Sequence, residues 1–439
     1  MNPDLELAKG LLTDWKGPAY VFGRGVLDAV GAATRPFGRT AALIVADLGQ
    51  EWIEGPRRRV EKSLAAAGVR TEPIKGARPN APREDLYRLG LQAARSKADV
   101  LVALGGGSTI DSAKAAAVLL AYSPAEIAQA LNAPASIADG IDPFFGTGLV
   151  SRLKERTGRP PLPVIAVQTA ASSGAHLTKY ANITDPQTRQ KKLIVDESIV
   201  PPAAVFDYDL TLSAPAALSV DGGLDGFAHA WEVFMSAGPD AFERVRSVAE
   251  PAMRLTLFGL RRIQERSSDV EGRTALGLGT DLGGYSIMLG GTSGPHLGSF
   301  SLVDILSHGR ACALLLPYYT VLFGRVIQRQ LRSAAAIFRD QGYGIGDPGR
   351  LAERDLALAV AGGMIRFLKD LGFPTTLREA GASETDVARL LAAAKDPALK
   401  MKLQNMPTPM DAEKGDVDRL MKPVLEAALS GDLASIPSP

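Results

Sequence analysis

The chain has 439 residues, 46% of them hydrophobic, with 49 basic and 48 acidic side chains and a net charge of +1. No basic stripe or acidic tail stands out, which argues against nucleic acid or a membrane surface as partner, and the length suits two or three domains of about 100–200 residues. The single cysteine, Cys312, rules out an intrachain disulfide, suits a reducing cytoplasm and, within the apolar run ACALLLP, reads as a small core residue.

The amino-terminal MNPDLELAKGLLTDW has no basic stretch followed by an apolar one and is not read as a secretory signal. Ala41–Ala46 (AALIVA) is a short apolar run ending at Asp47 and is read as a buried strand. Trp52–Ala67 follows as an Arg- and Ala-rich helix with Arg57–Arg59 on a solvated face, and ARPNAPRED at 77–85 is a polar turn. The spacing of Leu86, Leu89, Leu91 and Ala94 makes Asp85–Lys97 helical. Asp99–Leu104 (DVLVAL) is a second buried strand running into glycines, and Ile110–Ala121 an Ala-rich helix. Pro163–Gln168, Lys192–Val195 and Ala203–Phe206 are further strand candidates. Strands alternating with helices predict a mostly parallel sheet covered on both faces.

From about Pro215 onward no strand is evident. Leu218–Ser236, Asp240–Arg266, Tyr318–Asp340, Arg350–Leu371 and Asp416–Leu429 carry apolar residues at helical spacing. The longest apolar run, Ala311–Gly324, contains Pro317 and falls short of the ~18 residues a membrane span needs. The tail, SGDLASIPSP, is expected to be lightly packed. The chain therefore divides into an α/β domain over 1–214, with a mostly parallel, Rossmann-like nucleotide-binding sheet, and an all-α domain over 215–439. No long Ser/Gly linker separates them, which predicts a shared interface with a cleft.

Several residues in this frame can carry chemistry. Gly105-Gly106-Gly107-Ser108 joins a strand to a helix, where free N–H groups and the helix dipole favour a phosphate; a tight turn with no ligand fits equally well. Asp111 and Lys114 lie one turn further on, where capping and surface charge would also account for them. Asp47 ends the first predicted strand, a position from which a carboxylate accepts hydrogen bonds from ribose hydroxyls and repels a 2′-phosphate, favouring NAD over NADP. The acid precedes the glycines here, so the order is not that of the usual dinucleotide fingerprint. TAASSGAH, Thr169–His176, follows the third predicted strand and reads by itself as a polar loop.

The chain has four histidines, and three of them, His229, His296 and His308, fall in the helical half. Asp225 and His229 are four apart, on one helix face, and can reach one ion. His296 and His308 are about 120° out of phase on a continuous helix, so the chain must bend between them. Three imidazoles and a carboxylate suit Fe²⁺ or Zn²⁺ rather than Mg²⁺ or Ca²⁺, while four separate buried polar residues remain the alternative.

In order and spacing, VFGRGVL at 21–27, ALIVAD at 42–47, PNAP at 79–82, GGGSTIDSAKA at 105–115, ITDPQTRQKKLIV at 183–195, PAAVFDYDLTLSAP at 202–215, DGFAHAWE at 225–232, HGRACALLLP at 308–317 and NMPTPM at 405–410 resemble the iron-containing (group III) alcohol dehydrogenase family. The resemblance implies a dehydroquinate synthase-like superfold and a divalent metal, Fe²⁺ or Zn²⁺, held by Asp225, His229, His296 and His308 between the domains. It implies NAD on the first domain, with Asp47 near the adenine ribose, Gly106, Gly107 and Ser108 at the pyrophosphate, and Thr169 and Lys192 along the cofactor. Asn80 falls near the cofactor or the active-site mouth, and Asp111 and Ser173 complete the cofactor candidates. The implied activity interconverts an alcohol and an aldehyde or ketone, in a cytoplasmic homodimer.

Three departures from the family pattern bear on this. The loop TAASSGAH puts His176 where the family usually has Glu, Phe300 stands where many members have another histidine, and the run from His296 to His308 looks two residues short. Phe300 and His308 are the catalytic-pocket candidates, and an apolar Phe300 points to a neutral alcohol or aldehyde. Two rival functions are a lyase resembling dehydroquinate synthase, for which Arg310 is the only nearby phosphate-binding cation, and a non-catalytic nucleotide-binding relative.

Overall fold

A buried strand needs apolar residues on both faces, and this chain supplies four. The structure, a computed structural model, describes residues 2–132, 134 and 139–438. Its strands are β1 (Tyr20–Gly23), β2 (Thr40–Val45), β3 (Arg70–Lys75), β4 (Val100–Gly105), β5 (Gly146–Thr147), β6 (Val164–Gln168), β7 (Tyr180–Asp185), β8 (Gln190–Val195) and β9 (Ala203–Asp207). Six form a wholly parallel sheet in the order β1-β9-β6-β4-β2-β3. In β4, β6 and β9 every residue is buried, as a parallel sheet covered on both faces requires. Leu43, Val45, Val102, Leu104, Ile165 and Val205 build the core on one face.

The remaining strands make a second sheet, β5-β8-β7, whose β7–β8 pair is an antiparallel hairpin. Its apolar residues Ile183 and Ile194 pack with Leu86, Val118, Phe144 and Val150 in a separate core. The Lys192–Val195 strand thus belongs to this hairpin, not to the parallel sheet. β1, β3, β5 and β7 went without a prediction from periodicity. In β3 only Ile74 is buried, and Pro73 is tolerated because β3 is an edge. β7 (YANITD) mixes polar residues into a pattern with no clean alternation.

The helical half holds no named strand among the described residues. The predicted Tyr318–Asp340 helix is two, His308–Leu322 and Gln328–Asp340. The chain turns between them at Gly324, where an added Cβ would lie 2.6 Å from that of Ala357. Val270–Leu289 is a further helix, unmarked in the sequence because five glycines interrupt its apolar spacing. Those glycines serve packing: a Cβ on Gly283 would stand 2.7 Å from the Gly226 carbonyl oxygen of the Ala216–Met235 helix.

The chain forms two compact units, Met1–Leu12 with Pro215–Pro439, and Thr13–Ala214. A division at 214/215 alone misses the amino-terminal segment, which Asp4 ties to the helical unit through a two-pronged ion pair with Arg254, both contacts at 2.9 Å. The tail is more closely held than expected: Ile436 is buried and Arg354 donates to the carbonyls of Leu433 and Ala434, while Pro439 lies outside the described residues. No helix among the described residues is long and apolar enough to cross a membrane.

Candidate metal centre

The Ala216–Met235 helix places Asp225, His229 and Glu232 at i, i+4 and i+7, one stripe along its buried face. Trp231 fixes that helix against the His308–Leu322 helix by donating its indole N–H to Thr320 Oγ1 at 2.9 Å. His296 sits in a one-turn helix, Gly294–Ser299, that Pro295 helps start. His308 is the first residue of the His308–Leu322 helix. Gly309 lets that residue approach: a Cβ there would fall 1.8 Å from the Asp221 carbonyl oxygen. The chain between His296 and His308 bends, as their phase difference requires.

These elements bring the four side chains together. Asp225 Oδ1 lies 3.6 Å from His229 Nε2, 3.3 Å from His296 Nε2 and 3.6 Å from His308 Nε2. Four donors held tetrahedrally by bonds of about 2.1 Å stand about 3.4 Å apart, which the three distances to Asp225 Oδ1 match. The donor atoms that lie within 4.8 Å of one another are those of Asp225, His296, His308 and Cys312, so His229 reaches Asp225 but stands outside that closest set. Asp225 and His296 are 4% and 3% exposed, yet Asp225 Oδ1 and His296 Nε2 make no hydrogen bond. Buried polar atoms are rarely left so unless something else satisfies them. The set fits a divalent cation, and its three nitrogens and one oxygen suit Fe²⁺ or Zn²⁺.

The surrounding groups orient the imidazoles. Glu232, wholly buried, takes His296 Nδ1 at 2.5 Å and accepts from Ser293 N at 2.7 Å and Ser293 Oγ at 3.2 Å. A carboxylate behind a ligating imidazole fixes its tautomer and leaves Nε2 facing the ion. Ser299 Oγ lies 3.1 Å from His308 Nδ1 and donates to the His296 carbonyl at 2.7 Å. Phe300 stacks on His308, with centroids 5.9 Å apart and planes 17° off parallel. Lys402, 2% exposed, donates to Thr292 Oγ1 and holds its ammonium 5.5 Å from the Phe300 ring centre. Glu232, Ser299 and Lys402 were not singled out from the sequence; for Glu232 the i+7 spacing from Asp225 was the available signal.

Electrostatics divide the imidazoles. Burial pushes the Asp225 carboxyl up, but His229, His308 and His296 outweigh it and hold it well below the usual range. Burial pushes His229 down to about 4, so its ring is neutral near pH 7, as a ligand must be. Burial also opposes protonation of His296, yet Cys312, Glu232 and Asp225 raise it well above its ordinary value. Burial would raise Glu232, and His296, Ser293 N–H and Lys402 together bring it below the ordinary value.

The cofactor candidates lie in the α/β unit. β2 is flanked by β3 and β4, so the chain reverses its winding there, and ligands bind outside the carboxyl ends of strands at such a switch point. Asp47 follows β2 with φ 46°, a left-handed conformation that Asp tolerates. Gly106 and Gly107 follow β4, and Thr169 follows β6, donating its N–H to the Gly105 carbonyl at 3.2 Å. Asn80 donates its N–H to Ser108 Oγ at 3.0 Å, and Thr184 Oγ1 donates to the Asn80 carbonyl at 2.6 Å. A Cβ on Gly107 would lie 2.6 Å from Ser173 Oγ. Asp47, Asn80, Gly106, Gly107, Ser108, Thr169 and Ser173 thus gather at these strand ends.

The other two candidates face the hairpin. Asp111 Oδ2 accepts from Asn182 N and Nδ2 at 3.0 and 3.2 Å, which braces β7. Lys192 lies on β8 with its ammonium 5.6 Å from the Phe145 ring centre. Lys114 is no surface charge: buried, it donates to the carbonyls of Ala175, Thr178 and Tyr180 at 2.6–2.8 Å and ties down the loop after β6. His176 joins neither site but packs between Tyr20, its Nε2 3.1 Å from the hydroxyl, and Phe206.

Models of the two parts of one family, iron-containing alcohol dehydrogenase and its C-terminal region, match residues 17–208 and 219–425. The chain belongs to the iron-containing alcohol dehydrogenase family. It is similar to the NAD-dependent methanol dehydrogenase of Bacillus methanolicus, 27% identical over 85% of this chain and 90% of the relative. It is similar to the lactaldehyde reductase of Escherichia coli K12, 29% identical over 85% and 91%. The solved alcohol dehydrogenase from Oenococcus oeni superposes with a TM-score of 0.77 at 23% identity, covering 94% of this chain and 98% of that one, and shows the same fold. In this member of the family His296 meets Asp225.

Proposed function

We propose that this chain is an NAD(H)-dependent oxidoreductase interconverting an alcohol and an aldehyde or ketone, with one divalent ion, Fe²⁺ or Zn²⁺, held by Asp225, His229, His296 and His308. The observation that carries the proposal is the convergence of three imidazole Nε2 atoms on one buried carboxylate oxygen. When bound, the ion supplies a Lewis acid for the substrate oxygen, and the dinucleotide the partner for hydride transfer.

The chain's own residues do the rest. Glu232 and Ser299 fix the rings of His296 and His308. Phe300, stacked on His308, gives the site an apolar wall that favours a neutral substrate and keeps water away. With phenylalanine at this position no histidine is available there for proton transfer. Asp47 supports NAD over NADP, since its carboxylate would repel a 2′-phosphate. Arg310, the cation a phosphorylated sugar acid would need, is paired with Asp221 at 2.6 Å and lies over Phe373, which supports an alcohol over the lyase substrate. The single cysteine suits a cytoplasmic setting, and a homodimer rests on family resemblance.

The test is NADH formation with short primary alcohols and diols by anaerobic protein loaded with Fe²⁺ or Zn²⁺. The expected outcome is turnover with about one ion per chain, and loss of both ion and turnover in His229→Ala. Metal-loaded protein inert towards a broad panel of alcohols and aldehydes would refute the proposal.

A further inference from the structure

Cys312 was expected to be a core residue, and it is fully buried. Its neighbours, however, are not those of an inert core thiol. It lies at i+4 from His308, on the same face of the His308–Leu322 helix. Donor atoms of Asp225, His296, His308 and Cys312 all fall within 4.8 Å of one another, with His229 Nε2 outside this set but 3.6 Å from Asp225 Oδ1. Two donors on opposite sides of one ion, with bonds of about 2.1–2.3 Å, stand about 4.4 Å apart, so a few tenths of an ångström of adjustment would place all of them on a common ion. Asp225 Oδ1 and His296 Nε2, both buried and without a hydrogen bond, face the same space.

We infer that Cys312 Sγ is a further donor to the metal, making the centre three nitrogens, one oxygen and one sulfur. This rests on the metal-binding reading of the four residues above. As the sulfur–metal bond forms, the thiol proton passes to solvent and the sulfur contributes both bonding electrons, so nothing is oxidised or reduced. A thiolate is a soft ligand, and its addition tilts the site towards Zn²⁺ and Co²⁺ and away from Mn²⁺ and Mg²⁺. It also gives the centre a sulfur that oxidation would remove, since an oxidised cysteine no longer presents a thiolate.

The experiment uses full-length protein loaded anaerobically with Co²⁺ and read by absorption, independently of turnover. The expected result is a thiolate-to-cobalt charge-transfer band in the near ultraviolet that disappears in both Cys312→Ser and Cys312→Ala. The visible ligand-field bands persist in both variants, because the other four donors remain. Competition titrations should show Zn²⁺ affinity falling at least tenfold in Cys312→Ala while Mn²⁺ affinity changes less. Cobalt bound with ligand-field bands but no charge-transfer band, or a band unchanged in Cys312→Ala, overturns the role of Cys312 and leaves the four-residue site standing. A wild-type chain that takes up no cobalt overturns both.

Discussion

At the level of single residues, Glu232 illustrates how much of a metal centre lies behind its ligands. It is wholly buried and meets His296 Nδ1 at 2.5 Å, with Ser293 and Lys402 helping to keep it charged. A charged acceptor at Nδ1 orients the ring and makes Nε2 a better donor. Glu232→Gln keeps the shape and removes the charge. The expected outcome is a metal affinity about 10–100-fold weaker with secondary structure retained, measured by competition against a chromophoric chelator. Glu232→Ala is harsher, since it leaves buried donors on Ser293 and His296 unpaired, a loss of the kind that costs about 3–5 kcal/mol. An unchanged affinity in the Gln variant would mean that ring orientation is set by packing alone.

Among the elements, what periodicity could reveal and what it could not have separate causes. β2, β4, β6 and β9 were legible because strands buried on both faces are unbroken apolar runs. β3 was not, because an edge strand with one buried residue has no such run. The Val270–Leu289 helix was hidden by the glycines that let it press against Gly226. Asp225 and His229 were legible as an i,i+4 pair, whereas the meeting of His296 and His308 depends on a bend that no local pattern encodes. Cys312 was legible as a buried residue of an apolar run, but such a run does not show which face of its helix lies beside Asp225, His296 and His308.

Gly309 belongs to the same scale, since two helices meet there. A Cβ on Gly309 would lie 1.8 Å from the Asp221 carbonyl oxygen, which leaves no room for a side chain. Because the obstacle is backbone, the substitution must push apart the helices that carry His308 and Asp225. Overpacking of this kind costs about 1–3 kcal/mol, occasionally more. Gly309→Ala should therefore bind metal at least tenfold more weakly and melt about 5–10 °C lower, by chelator competition and circular dichroism. Wild-type affinity in this variant would show that the centre tolerates the separation.

For the whole molecule, the residues proposed for metal and for dinucleotide fall in different compact units. Asp225, His229, His296 and His308 all lie in the helical one, and Asp47, Gly106, Gly107, Ser108 and Thr169 all lie in the α/β one. A ligand that binds only the folded state stabilises what it binds by RT ln(1 + [L]/Kd), about 2.7 kcal/mol at a hundredfold excess over Kd. The tryptophans allow the two to be followed apart. Trp231 is buried in the helical unit, its indole bonded to Thr320, whereas Trp15 and Trp52 lie in the other. A Trp15→Phe/Trp52→Phe variant reports the helical unit, and Trp231→Phe reports the α/β unit. Zn²⁺ should raise the first thermal transition by about 5–10 °C and chelation should reverse it, while NAD⁺ should raise the second. If each ligand moves both transitions equally, the units unfold as one cooperative body. If neither ligand moves either, the assignment of metal and dinucleotide to these residues fails. The distribution of ligand residues between the units makes the separate response the expected one.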